Sequence, residues 1–195
     1  MEEQFQFNRA KFKDVVHYAV HFATTNFDAM MLGNTKLHKI LYYCDMLQYL
    51  QTGRPLTGSD YLRQRFGPTS RFLGLGLKEL KIEGRIFVGS TNYYGYNKAE
   101  YQSLEKPDTG RLSRDEIDLI EHIAKFVCAH TAVEISEFTH DDVWASVPMG
   151  ERIPYYAAFA MFPAEITDED VEDATQELTN IVPLIEAQRR NGSVL

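Results

Sequence analysis

The chain has 195 residues, 44% of them hydrophobic and 25% charged, with a net charge of −8. That balance lets a chain bury enough apolar surface to offset its conformational entropy, so it need not be disordered and is expected to fold as one domain with a C-terminal extension. The start Met1-Glu2-Glu3-Gln4 is acidic where a secretory signal is basic, and the longest apolar stretch, residues 155–162, is bracketed by Pro154 and Pro163 and falls far short of the roughly 20 residues of a membrane helix, so a cytoplasmic protein is expected.

Charge is unevenly spread. Residues 1–53 carry five basic and five acidic side chains, residues 54–106 nine and five, and residues 107–195 six and eighteen. A mildly basic middle beside a strongly acidic final segment argues against broad nucleic-acid binding through the C-terminal half, where phosphates would be repelled, and suits an acidic face presented to a basic partner. Cys44 and Cys128 each lie in an apolar helical pattern, so both are expected to be reduced core residues.

In chain order, Phe12, Val15, Val16, Ala19 and Val20 recur at spacings of three and four and predict a helix over residues 7–25. Asn34 or Thr35 is the expected cap of a second helix, whose stripe of Leu37, Ile40, Leu41, Cys44 and Leu47 ends near Gly53 and Pro55. Residues 54–69 read as an ordered connection with room for a short helix or strand. A third helix is expected just after Gly67-Pro68, capped by Thr69 or Ser70 and carrying Phe72, Leu73, Leu77 and Leu80 inward. Gly74 and Gly76 weaken it and suggest close approach of another backbone or an irregular turn.

Residues 85–88 and 96–104 then read as a β-hairpin around a polar turn that displays Tyr93, Tyr94 and Tyr96. Ser113 with Glu116 forms a capping box for a fourth helix through Ile117, Ile120, Ile123, Ala124, Val127 and Cys128. Short helices or turns follow over residues 131–139 and 141–145, and a final helix is expected from Thr167, with Asp168, Glu169 and Asp170 in its first turn. The fold class is therefore mainly α: a helical domain over residues 1–164 with one small hairpin, and an acidic helical extension over residues 165–195.

The chemistry-bearing motifs are few. Gly74-Leu75-Gly76 lacks the third glycine of a dinucleotide loop, and no phosphate-loop lysine motif is present. His17 and His21 share a helix face at the spacing of helical zinc sites, but residue 18 is tyrosine where a metalloprotease carries glutamate. His140-Asp141-Asp142 places an imidazole beside two carboxylates, a pattern better suited to helix capping than to acid–base chemistry. No serine or cysteine sits in a nucleophile signature, so neither catalysis, a metal nor a cofactor is expected. A DNA-binding alternative rests on the order helix, turn, helix, hairpin, which is that of winged-helix modules: Arg63, Arg65, Arg71, Lys78, Lys81 and Arg85 would meet the nucleic acid, with the tyrosine loop as the wing.

From Lys36-Leu37-His38-Lys39-Ile40-Leu41-Tyr42-Tyr43, through Gly53-Arg54-Pro55-Leu56 and Arg65-Phe66-Gly67-Pro68, to Ser136-Glu137-Phe138-Thr139-His140 with Trp144, the chain resembles the Panacea (SocA-like) antitoxin family over residues 30–160. The resemblance implies an antitoxin that binds and neutralises a cognate protein toxin, and in one branch of the family an adaptor that delivers the toxin to a AAA+ protease. Lys36, Tyr42, Tyr43, Phe66, Gly67, Pro68, His140 and Trp144 carry the family pattern and read as fold determinants. Partner contacts are then expected on Tyr93, Tyr94 and Tyr96 or on Asp168, Glu169 and Asp170. The chain departs from the pattern at Asp142-Val143, just before Trp144, where many relatives carry proline.

Overall fold

Helix α2 (Asn34–Thr52) is the centre of the described residues. The computed structural model describes residues 5–28, 31–93 and 95–161, and within them α1 (Arg9–Asn26), α4 (Arg114–Ala129) and α5 (Ala132–Phe138) pack around α2. The stripe read from the sequence explains why. Phe12, Val15, Val16, Ala19 and Val20 of α1 and Leu37, Ile40, Leu41 and Cys44 of α2 are all buried in one core. Asn8 caps α1 by accepting from the Lys11 amide. The cap of α2 is Gly33, in extended backbone and without a side-chain hydrogen bond, so Asn34 and Thr35 lie inside the helix instead of capping it. At the other end Gly53, at φ 71°, closes α2 in the left-handed conformation that glycine tolerates.

The connection after α2 holds a hairpin that sequence reading left undefined. Strands β1 (Tyr61–Gln64) and β2 (Gly67–Ser70) pair antiparallel, and β5 (Arg152–Ile153) joins the other edge of β1, giving the order β2-β1-β5. Gly67-Pro68 therefore opens a strand, not a helix. Helix α3 (Leu73–Ile82) starts five residues later than Pro68, and Ser70 contributes there by accepting from the Phe72 amide. Neither another backbone nor an irregular turn accounts for its glycines: a Cβ at Gly76 would lie 3.0 Å from the Phe12 side-chain ring of α1, and Gly74 has nothing within 4 Å.

Strands β3 (Ile86–Tyr93) and β4 (Tyr96–Ser103) form the second sheet, longer than the sequence suggests: residues 89–93, expected in the turn, continue the ladder to a Tyr93–Tyr96 pair. The capping box of Ser113 and Glu116 starts α4 as expected, and Thr131 with Glu134 forms a second one at α5. Asp141 caps α6 (Asp142–Ser146), and a 3-10 turn, Tyr155–Ala157, leads into α7 (Ala158–Met161). The protein is thus mainly α with small antiparallel sheets. No helix among the described residues is long and apolar enough to cross a membrane. Tyr94, the expected helix from Thr167 and its Asp168, Glu169 and Asp170 lie outside the described residues.

Candidate functional site

The family-pattern residues converge where α2 meets the β1–β2 hairpin. Lys39, 1% exposed, donates from Nζ to the Pro68 carbonyl at 3.0 Å, and the neighbouring His38 accepts from the Ser70 amide at 3.0 Å. Burial holds Lys39 down at about 7 and, helped by the Lys39 charge, His38 down at about 4. Gly67, at φ 92°, lies over this pair: a Cβ there would come closer than 3.0 Å to both the Lys39 ammonium and the Thr139 hydroxyl. Nearly two turns further along α2, the buried Asp45 carboxylate accepts from the Thr57 amide, the Thr57 hydroxyl and the Tyr61 hydroxyl, each at 2.6 Å. Burial raises its pKa, and these donors act in the opposite direction. Tyr155 completes the frame by donating to the Ser59 carbonyl at 2.6 Å.

A clamp holds the outer side of the hairpin. The Trp144 indole donates to the Gln64 carbonyl at 3.2 Å, His140 stacks on its ring at 4.0 Å, and the Arg63 guanidinium also lies 4.0 Å from the ring centre. Arg63 is further fixed by the carbonyls of Ala145 and Val147. Desolvation and the charges of Lys39 and Arg63 lower the His140 pKa. Asp141 spends its carboxylate on the Trp144 amide, so the His140-Asp141-Asp142 triplet is a helix start and a ring stack. The clamp leaves the tip of the hairpin standing out: Phe66 is 62% exposed, with Arg65 5.4 Å from its ring.

Beside that tip lies an exposed ring cluster. Ser136 of α5 donates to the Phe66 carbonyl at 3.5 Å, and the next residues of α5 lead to Phe138, 54% exposed. Phe138 lies 5.8 Å from Phe126 and 5.5 Å from His130, while Phe126 and His130 are 4.8 Å apart. Tyr43 supports Phe126 from below at 6.4 Å, and Val133 is exposed on the same short helix. Sequence reasoning named Tyr43 as a fold determinant and quoted Phe138 only within the family motif, and it did not single out Phe126, His130 or Val133. The signal was there in Phe126, which falls off the stripe of Ile120, Ile123, Ala124 and Val127 that α4 buries.

The remaining expected residues are scattered. Tyr42 is buried and donates to the Met161 sulfur at 3.4 Å, and Lys36 is buried beneath α4, 3.4 Å from the Cys128 carbonyl. Arg85 meets Asp14, Glu83 and Glu105, and Lys81 donates to the Val88 carbonyl. Arg65, Arg71 and Lys78 are exposed. His17 and His21 both bind the Ser103 hydroxyl, and Cys44 and Cys128 are buried free thiols. Among the described residues no group of three or more His, Cys, Asp or Glu side chains could hold a metal ion.

The family model described as "Antitoxin SocA-like, Panacea domain" matches residues 37–145, more than half of the chain and the whole of the hairpin, clamp and ring cluster. The chain belongs to that family. The Panacea match begins at Leu37, inside α2, and ends at Ala145, inside α6. No curated protein and no solved structure matches the chain.

Proposed function

We propose that this protein is the antitoxin of a toxin–antitoxin pair, a cytoplasmic binding protein and not an enzyme, which neutralises a cognate protein toxin by holding it against the ring cluster of Phe126, His130 and Phe138. The observation that carries the reading is that cluster. Exposed aromatic side chains over a rigid support are the usual anchors of protein interfaces, because they bury much area while losing little side-chain freedom. Membership of the antitoxin family supports a toxin as the partner. Either Tyr93, Tyr94 and Tyr96 of the hairpin or the acidic residues Asp168, Glu169 and Asp170 are proposed as the further contacts that set which toxin is taken. Handing the toxin to a AAA+ protease is a finer form of the same reading.

The test is co-expression with the products of neighbouring genes. One neighbour should arrest growth alone, be harmless with this chain and co-purify with it. Replacing Phe126 and Phe138 together by alanine should abolish rescue while leaving the protein folded. No toxic neighbour, or full rescue by that double variant, overturns the proposal.

A second reading, DNA binding in the winged-helix manner, is favoured by one observation: α3 leads within four residues into the β3–β4 hairpin. Against it, Arg85 is engaged by three carboxylates and Arg63 by two carbonyls, which leaves Arg65, Arg71, Lys78 and Lys81 as its exposed cations, the last of them donating to the Val88 carbonyl. Binding to duplex DNA that falls steeply with salt would favour this reading, and salt-insensitive or absent binding would remove it.

A further inference from the structure

Strands β3 and β4 form a two-stranded ribbon, and the outer edge of β3 carries backbone groups that β4 does not use. Three observations tell which groups these are. Tyr93 and Tyr96 close the ladder across a two-residue turn, the position of a hydrogen-bonded pair. The Leu104 amide donates to the Arg85 carbonyl opposite it at 3.0 Å. The Lys81 ammonium, from α3, reaches the Val88 carbonyl at 3.1 Å. In an antiparallel ladder, hydrogen-bonded pairs alternate with pairs whose N–H and C=O point away from the partner strand. Phe87, Gly89, Thr91 and Tyr93 therefore spend their amides and carbonyls on β4, while Ile86, Val88, Ser90 and Asn92 turn theirs outward. Ser90 and Asn92 are exposed, and among the described residues no group meets their outward amides or carbonyls.

An open edge is a template for another strand, and proteins that keep one single place a charge, a proline or a bulge on it. Strand β3 has none of these. Its eight residues, Ile86-Phe87-Val88-Gly89-Ser90-Thr91-Asn92-Tyr93, include no charge and no proline, and their register with β4 runs unbroken from Ile86 to Tyr93. Strand β4 differs, since it carries Lys98 and Glu100 and lies along α1.

The outward positions also fix how β3 could meet its own copy. An antiparallel self-pair must centre on an outward residue, and Ser90 gives the longest overlap, residues 87–93 of each copy. Val88 then stands opposite Asn92 of the second copy, Gly89 opposite Thr91, and Ser90 opposite itself. Every pair is uncharged, so a chain of net charge −8 meets itself there without like charges facing each other. Val88 with Asn92, Ser90 with Ser90 and Asn92 with Val88 exchange two bonds each, about six in all. At about one bond per 100–200 Å², that corresponds to an interface at the small end of the specific range. The Val88 carbonyl has a second lone pair for this beside Lys81.

We propose that this protein forms a homodimer in which β3 pairs antiparallel with β3 of a second copy about Ser90, giving a four-stranded sheet in the order β4-β3-β3-β4. The contact is isologous, so it closes at two copies and removes the open edge from both. It also turns a two-stranded ribbon, marginal by itself, into a wider sheet. The pairing needs no toxin. With the antitoxin reading above, it would put two ring clusters in one particle.

The experiment is sedimentation velocity on the full chain from about 1 µM to about 500 µM, with hydrogen exchange of single amides near both limits. The chain should pass from one copy to two and no further. The Ser90 and Asn92 amides should exchange about tenfold or more slower in the dimer, while Thr91, bonded within the ribbon, is protected at both limits. Ser90→Pro removes an outward N–H and leaves the β3–β4 ladder its bonds, so it should weaken association by about 100-fold or more with Thr91 still protected. Ser90→Ala should leave association unchanged. A chain that stays single at the upper limit, or a dimer that Ser90→Pro leaves as tight, would overturn the pairing. So would a dimer whose Ser90 amide exchanges as fast as in the single chain, a result that decides even where proline disturbs the ribbon. A single chain that still rescues growth from its toxin sinks the dimer and leaves the antitoxin reading standing.

Discussion

Lys39 reaches across 29 residues of sequence to donate to the Pro68 carbonyl at 3.0 Å, and Gly67 leaves the space in which it does so. The glycine is required twice, by its φ of 92° and by the absence of a Cβ above the ammonium and the Thr139 hydroxyl. Gly67→Ala is expected to cost about 2 kcal/mol or more, read as a lower urea midpoint at unchanged slope. Gly95→Ala, also at positive φ but with open space around it, should cost less.

The same lysine makes stability depend on pH. Burial lowers its pKa from 10.5 to about 7, so between those values the unfolded chain binds more protons than the native one, and stability rises with pH. Below about 7 the cost of burying the charge is fully present. Lys39→Met, which carries no charge to bury, should therefore hold its greatest advantage over the parent near pH 6 and lose it towards pH 10, approximate settings taken from that window. Urea unfolding of both proteins across the range checks this, and parallel curves would refute it. Removing the Lys39 charge also relieves His38 and His140, whose pKa values it helps to lower, and this adds to the variant's advantage on the acid side.

Asp45 is the acceptor for three donors at 2.6 Å that tie α2 to the segment leading into β1. Asp45→Ala leaves the Thr57 amide and two hydroxyls without a partner in a buried site, and should cost about 3 kcal/mol or more. Tyr61→Phe, which removes one of the three donors, should cost about 1 kcal/mol. Thermal or urea denaturation of the two variants gives both values.

Exposure separates binding from folding at the ring cluster. Phe138→Ala should weaken toxin binding by about 2 kcal/mol or more if it is an anchor, and change stability by only about 0.5 kcal/mol, as for other surface positions. Trp144→Ala should do the reverse, since its indole fixes the hairpin through Gln64 and its ring stacks with His140 and Arg63. Calorimetric titration and denaturation, run on both variants, measure the two axes independently.

Local chemistry was legible and distant pairing was not. The Ser113–Glu116 box and the stripes of α1 and α2 are set by residues within a few positions of one another, and each stands where the sequence places it. Gly67-Pro68 has the local signature of a helix start, yet it pairs with the adjacent β1 as a strand, held by Lys39 and His38 from 29 and 32 residues away. Arg85 reads as a free cation until Asp14, 71 residues away, is seen to meet it. At the site, the family pattern marked the hairpin and Trp144. The ring cluster escaped because Phe126 and Phe138 belong to different helices.

Strand β1 waits a long time for its second neighbour. Leu62 pairs with Arg152, ninety residues further on, and Tyr155 then locks to Ser59. During synthesis the edge of β1 stays open until almost the whole described chain has left the ribosome, and an open edge invites pairing with other chains. Any message cut short before Arg152 would yield a protein with that edge permanently bare. The span that family similarity delimits, residues 37–145, is therefore smaller than the unit that folds, because it omits both α1 and the strand that seals the sheet.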